Sequence, residues 1–93
     1  MPRVVVTADV EDLAKWEDGF RTHGELFRKQ TVNKPIHFAT SGKNQVVVLF
    51  EPDDLDTYLQ ILDSDATAKA MNFDGIKRET VKAVVLDKEF DPS

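Results

Sequence analysis

The sequence feature that most restricts the fold of this chain is a pair of neighbouring segments that are apolar on both faces. The segments PIHFAT (35–40) and QVVVLF (45–50) flank the turn SGKN, a pattern typical of a β-hairpin with glycine in its loop. Either a two- or a four-residue loop pairs Thr40 with Gln45. One face then carries Ile36, Phe38, Thr40, Gln45, Val47 and Leu49, and the other carries His37, Ala39, Val46, Val48 and Phe50. Since both faces are apolar, each needs a covering layer.

A helical segment is predicted on each side of this hairpin. Residues 3–8 (RVVVTA) predict a first strand, and Asp9 is the expected N-cap of a helix over residues 10–30. The apolar seam of that helix recurs at steps of three and four residues. Its members are Leu13, Trp16, Phe20, His23 and Phe27. A histidine therefore occupies a position where a helix normally buries an apolar side chain.

The second helical region follows the hairpin. Its apolar seam consists of Leu55, Tyr58, Leu59 and Leu62. The segment DSD (63–65) predicts a break with a fresh N-cap, and the short helix that follows, residues 66–73, ends at the pair Asp74–Gly75. A fourth strand is predicted from the alternation of Val81, Ala83 and Val85 with Thr80, Lys82, Val84 and Leu86.

The predicted order of elements is β-α-β-β-α-β, within a single domain of residues 1–93. Its natural arrangement is an α+β ferredoxin-like plait, with a four-stranded antiparallel sheet and both helices on one face. The helices cover only one of the two apolar faces. We therefore expect a homodimer in which the two open sheet faces pack together.

Composition excludes several classes of partner. The net charge of −5 lacks the basic footprint of proteins that bind nucleic acid or anionic lipid. The absence of cysteine removes disulfides, thiolate catalysis and thiolate metal sites. No apolar run is long enough for a signal peptide or a membrane span, so we predict a cytoplasmic location.

Two segments resemble a known family. DVEDLAKWEDGFRTH (9–23) and VVVLFEPDDLDTYLQILDSDATAKAM (46–71) resemble the dimeric α/β-barrel superfamily, which includes antibiotic-biosynthesis monooxygenases, polyketide cyclases and muconolactone isomerases. The resemblance implies a barrel of two four-stranded sheets, with a pocket in each subunit between the sheet and its helices. It also implies chemistry without a cofactor. Haem-degrading members resemble each other in using a histidine on the second helical region, and this chain has none after His37.

His23 is the candidate catalytic residue. Trp16, Phe20 and His23 match the family-like pattern of helix one, which implies that His23 points toward the pocket. An imidazole suits acid-base work near neutrality. The alternative is a structural histidine at the edge of the core, and a cavity of roughly 300 Å³ or more reaching His23 favours a ligand site over that alternative. Gly24 is expected to leave space beside the imidazole.

The candidate ligand-binding residues are mostly aromatic, and each also suits an ordinary core. They are Trp16, Phe20, Phe27, His37, Phe38, Phe50, Tyr58 and Met71. The acidic segment EPDDLD (51–56) is explained by its place at a helix start, and no spacing predicts a metal site. Arg78, Thr80 and Lys82 are expected on one face of the last strand, where they either neutralise an anionic ligand or pair across the dimer.

These observations predict a homodimer that binds a small, mostly apolar organic molecule between helix one and the sheet. As an enzyme, it would be a cofactor-independent monooxygenase, cyclase or isomerase, by the resemblance. The alternative is a non-catalytic module for ligand sensing or protein interaction, with a structural His23. Neither reading includes a bound cofactor, nucleic acid or a membrane.

Overall fold

The computed structural model describes residues 2–93, which form one antiparallel sheet in the order β2-β3-β1-β4 with a layer of helices. The elements are β1 (Arg3–Asp9), α1 (Leu13–Phe20), α2 (Gly24–Lys29), β2 (His37–Ser41), β3 (Gln45–Phe50), α3 (Leu55–Leu62), α4 (Asp65–Phe73) and β4 (Lys82–Leu86). A short 3-10 helix, Arg78–Thr80, precedes β4. The predicted α+β ferredoxin-like plait is confirmed.

Strand β1 is one of the two central strands of the sheet and organises the core. Its alternate residues Val4, Val6 and Ala8 are buried beneath the helices. The strand pairs with β3 on one side and β4 on the other, which places Val46, Val48 and Phe50 on the same covered face. Period-two alternation of the strands therefore defines one covered face and one open face of the sheet.

The predicted hairpin register is wrong by one residue. Ser41 pairs with Gln45 and Thr40 pairs with Val46, so the loop contains the three residues 42–44. Asn44 has a φ of 58°, as the last position of a three-residue hairpin loop requires. A shift of one residue exchanges the faces of every β2 side chain. Phe38 consequently lies on the covered face beside Val48, and His37 and Ala39 lie on the open face.

The predicted helix over residues 10–30 is two helices with different bounds. Val10 forms a bridge with Ile76 instead of a helical turn, so α1 begins after Asp12, whose Oδ1 accepts a hydrogen bond from Lys15 N at 3.0 Å. Asp9 remains in β1 and is not the cap. The helix breaks at residues 21–23 and leaves His23 at the N-cap position of α2.

A local hydrogen bond explains the break. The Thr22 hydroxyl donates to Gly19 O at 2.6 Å, and the backbone N–H of Thr22 bonds to the same carbonyl at 2.9 Å. Threonine side chains that bond to a preceding carbonyl compete with helix continuation. A turn therefore positions His23. The helical spacing that singled out this residue ends at the break.

The second helical region follows its prediction more closely. Asp54 Oδ1 accepts from Thr57 N at 3.1 Å and caps α3, and Ser64 caps α4 after the predicted break. Helix α4 ends at Phe73, and Gly75 has the φ of +75° that a residue just past a helix end often adopts. One seam residue differs, since Leu59 is exposed while Tyr58 is fully buried.

The approach to the last strand also differs from its prediction. Arg78 and Thr80 lie in the 3-10 helix, so they do not share a strand face with Lys82. The reason is that Thr80 Oγ1 accepts a hydrogen bond from Asp9 N at 2.8 Å and its own N–H bonds to Lys77 O, which curls the chain at the end of β1. No helix within residues 2–93 is long and apolar enough to cross a membrane.

Candidate functional site

A small cavity of about 70 Å³ lies between the helices and the covered face of the sheet. Most of the site residues predicted from the sequence line it, and they come from four helices, one strand and the break at residues 21–23. They are Trp16, Phe20, His23, Phe27, Phe50, Tyr58 and Met71. Their roles in catalysis and ligand binding stay predictions.

Two predicted ligand-binding residues, His37 and Phe38, do not line this cavity. Phe38 packs behind its wall, with its ring centroid 5.6 Å from that of Trp16 and 5.2 Å from that of Phe20. His37 is exposed on the open face, opposite Leu49. Consecutive residues of a strand point to opposite faces, and the observed hairpin register puts Phe38 on the covered face and His37 on the open one.

The aromatic side chains form a continuous series along the cavity. Ring centroids lie 4.9 Å apart for Trp16 and Phe20, and 5.1 Å apart for Phe20 and Phe27. The series continues through Phe50, which is 5.6 Å from Phe27 and 5.4 Å from Tyr58. Such tilted and offset pairs add to the burial of apolar area. The wall is consequently both a packed core and a surface suited to a planar apolar molecule.

His23 lies at the rim of the cavity and contacts a buried carboxylate. Its Nε2 is 3.0 Å from both carboxylate oxygens of Asp74, the residue that ends α4. The Asp74 side chain is 4% exposed and that of His23 is 18% exposed. The exposed ring of Phe73 lies 6.3 Å from the imidazole. The two residues form an acid-base pair between an apolar interior and solvent.

The electrostatics of Asp74 are set by its burial. Removal from water raises the pKa of the Asp74 carboxyl above its ordinary value, while the hydrogen bond and charge of His23 act in the opposite direction. Asp74 therefore retains its proton to a higher pH than an exposed aspartate. A carboxyl group with a raised pKa beside an imidazole is typical of functional sites, and also of buried structural ion pairs.

Sequence reasoning missed Asp74 as a site residue and used it only as a helix stop. A signal was present, because a carboxylate at the C-terminus of a helix is unfavourable to the helix dipole. Such a residue needs a local partner, and the imidazole of His23 is that partner. The sequence could not show which residue is that partner, since His23 and Asp74 are 51 positions apart.

Gly19 makes the His23–Asp74 contact possible. A Cβ at Gly19 would overlap Asp74 Oδ1, so any side chain there displaces the carboxylate. Beyond its chain neighbours, a Cβ at Gly24 would approach only the flexible end of Arg28, at 3.3 Å. The close approach that a glycine permits is therefore found at Gly19.

Tyr58 contributes a polar atom that has no protein partner. Its side chain is 0% exposed, and within residues 2–93 its Oη makes no hydrogen bond. Burial raises the pKa of Tyr58 well above its ordinary value, so the phenol stays protonated. A buried hydroxyl left unsatisfied costs ~1–3 kcal/mol. The amide of Gln30, which also lines the cavity, is bonded to Thr67 Oγ1, at 3.3 Å.

Comparison by sequence gives no relatives for this chain: no family model matches it, and no curated protein is significantly similar. Comparison by structure gives several proteins of similar fold. SnoaB, a cofactor-independent oxygenase from Streptomyces nogalater, superposes with a TM-score of 0.69 at 14% identity, over 98% of this chain and 95% of that one. A Bordetella bronchiseptica protein provisionally assigned as an antibiotic biosynthesis monooxygenase gives a TM-score of 0.73 at 11% identity, over 96% and 97%. This chain has the antibiotic biosynthesis monooxygenase-like fold.

The antibiotic biosynthesis monooxygenase-like fold does not carry one activity. A nipsnap family protein with unknown function from Agrobacterium tumefaciens shares it, with a TM-score of 0.64 at 13% identity over 99% of this chain and 92% of that one. At these identities the likeness establishes the fold, and function must be argued from the site.

We predict that Gly19→Ala destabilises the protein by about 1–3 kcal/mol, because overpacking expels a buried carboxylate. Gly24→Ala is the matched control, and we expect it to be neutral or slightly stabilising, as alanine favours helix. The free energy of unfolding in urea measures both. Equal effects of the two substitutions would contradict a close approach at Gly19.

We predict that Asp74 makes stability fall with rising pH. Because its pKa is raised in the folded protein, the folded state binds more protons than the unfolded state between the two pKa values. The contribution is complete below the unfolded pKa of about 3.9 and is lost as pH rises through the folded pKa. Urea unfolding should show wild type losing stability relative to Asp74→Asn from about pH 4 upward. A difference that stays constant over this pH range would show that burial does not govern Asp74.

Proposed function

We propose that this protein binds a small, mostly apolar organic molecule in the cavity and exchanges a proton with it through His23. The observation that carries this proposal is the 3.0 Å contact between His23 Nε2 and the buried Asp74 carboxylate, at the rim of an aromatic cavity. A carboxylate that accepts from Nε2–H orients the imidazole and leaves Nδ1 as the nitrogen that takes or gives a proton.

The cavity is too small for a ring-sized ligand unless one of its walls moves. About 70 Å³ is less than the ~150 Å³ of an engineered cavity that holds benzene, and far below the ~300 Å³ at which ligand pockets begin. Helix α2, described over its whole length, has six residues and buries none of them. It lies between the break at residues 21–23 and Thr31, whose φ is 65°. We infer that α2 moves outward when a ring-sized ligand binds.

The chemistry of the proposal is removal of a proton from the ligand without a cofactor. His23 accepts a proton from an acidic C–H bond, and the bonding pair remains on the ligand as an enolate. In an isomerisation the proton returns to a different carbon. In a cyclisation the enolate carbon attacks a carbonyl carbon of the same ligand, and the proton goes to the alkoxide that forms. The likeness in fold to SnoaB, a cofactor-independent oxygenase, supports reaction of such an enolate with dioxygen as the other outcome. One oxygen atom then enters the ligand, and the other leaves as water with two hydrogens that the ligand loses. The proposed enzyme is thus a cofactor-independent isomerase, cyclase or monooxygenase of the cytoplasm.

A second candidate function follows from the same small volume. In that reading the protein is a non-catalytic module for ligand sensing or protein interaction, and the His23–Asp74 pair fastens the α1–α2 break to the end of α4. A cavity of only about 70 Å³ favours it. The two candidates differ in what His23 is needed for.

Replacement of His23 by leucine separates the candidates. With cyclohexanone as the test molecule, we expect saturable change in the emission of Trp16, the single tryptophan. In D₂O we expect wild type to exchange the ketone's α-hydrogens at least ~10²-fold faster than His23→Leu does. The exposed Glu25→Gln is the matched control on α2 and should behave as wild type. A His23→Leu variant that is merely more stable, with unchanged binding and exchange, would favour the non-catalytic module.

We also propose that two copies pair through their open sheet faces into a dimeric α/β barrel. The open face exposes Val47, Val84 and Leu86 at 40%, 57% and 48%. Continuous apolar area on a sheet is a common protein interface.

We predict that Val84→Lys yields a monomer, because a charge at the centre of an apolar interface must be desolvated. Leu59→Lys, at an exposed apolar position on α3, should leave the dimer intact. Sedimentation at micromolar concentration measures both. A wild-type monomer would remove the proposed barrel.

A further inference from the structure

The hydroxyl of Tyr58 is the feature of the cavity that the proposed proton transfer leaves unused. Among the described residues, its Oη is the one fully buried side-chain N or O atom without a hydrogen-bond partner. The residue lies on α3 and lines the cavity, and its ring centroid is 5.4 Å from that of Phe50. Phenylalanine would fill the same space without an unpaired hydroxyl.

Each of the other polar side chains that line the cavity makes at least one hydrogen bond within the chain. Gln30 Nε2 donates to Thr67 Oγ1, and the Thr67 hydroxyl donates to Ile61 O. His23 and Asp74 are bonded to each other. None of these groups bonds to the Tyr58 hydroxyl, so we look for its partner among the contents of the cavity.

We propose that Tyr58 donates a hydrogen bond to an oxygen atom of the bound molecule, which is accordingly a compact cyclic ketone or phenol and not a hydrocarbon. The inference rests on the proposed function, since it concerns the same cavity. A neutral phenol in apolar surroundings binds a carbonyl oxygen and binds an enolate oxygen more strongly, because charge-assisted hydrogen bonds are the stronger ones. Tyr58 would thus select a ligand whose oxygen gains charge when His23 removes a proton.

A matched pair of probes tests this inference. Cyclohexanone and methylenecyclohexane have the same ring and nearly the same shape, and they differ in an oxygen in place of a CH₂ group. We expect Tyr58→Phe to weaken cyclohexanone binding by about 10-fold and to change methylenecyclohexane binding by less than about 2-fold. Trp16 emission reports both titrations, and circular dichroism verifies that the variant is folded.

A second measurement needs no variant. Tyr58 is the single tyrosine of the chain, so ¹³Cζ labelling of tyrosine gives one NMR signal from residue 58. Its hydrogen bond to a ketone should shift that signal with cyclohexanone and leave it nearly unmoved with methylenecyclohexane.

The outcomes distinguish this inference from the proposed function. Binding of both probes with equal weakening by Tyr58→Phe would overturn the inference alone, since Tyr58 would then act only by packing. Tighter binding of both probes to Tyr58→Phe would also overturn it, since the hydroxyl would then hold a water molecule. Failure of wild type to bind either probe would remove the proposed function, and this inference with it.

Discussion

The contact of Asp74 with His23 and Gly19 holds the helical layer together. It joins the end of α1, the start of α2 and the end of α4 over one face of the sheet. The carboxylate has lost nearly all contact with water and stands at the unfavourable end of a helix dipole. The imidazole of His23 and the missing side chain of Gly19 make that position tolerable. A change in any of the three residues therefore affects the packing of three helices.

The same layer is incompletely packed, and this is what gives the protein a candidate site. Native cores leave few voids and few buried polar atoms without partners. Here an aromatic cavity is lined by Tyr58, whose buried hydroxyl has no partner, and by residues of the short helix α2. Both features reduce stability in the free protein. Each is compatible with a fold that gains its remaining contacts from a bound molecule.

The fold is shared with proteins of 11–14% identity because its requirements are few. Alternating apolar residues on four strands, together with helices that present one apolar stripe, satisfy it with many sequences. Activity depends on a much smaller set of atoms. For that reason the likeness to an oxygenase describes the architecture of this chain, whereas the argument for its chemistry depends on His23, Asp74 and Tyr58.

The sequence by itself determined the order of the elements, the two-sided hairpin, the end of α4 at Asp74–Gly75 and most of the aromatic wall. These are local properties, set by periodicity, capping and turn chemistry within a few residues. It also singled out His23, but for a helical position that the break at residues 21–23 removes. Only the tertiary structure decided the hairpin register, the burial of Asp74 against Gly19 and the isolation of the Tyr58 hydroxyl. The register depends on a loop whose length differs by one residue from what the pattern suggests. The other two depend on residues that are distant in the chain. A local sequence pattern contains no information on either.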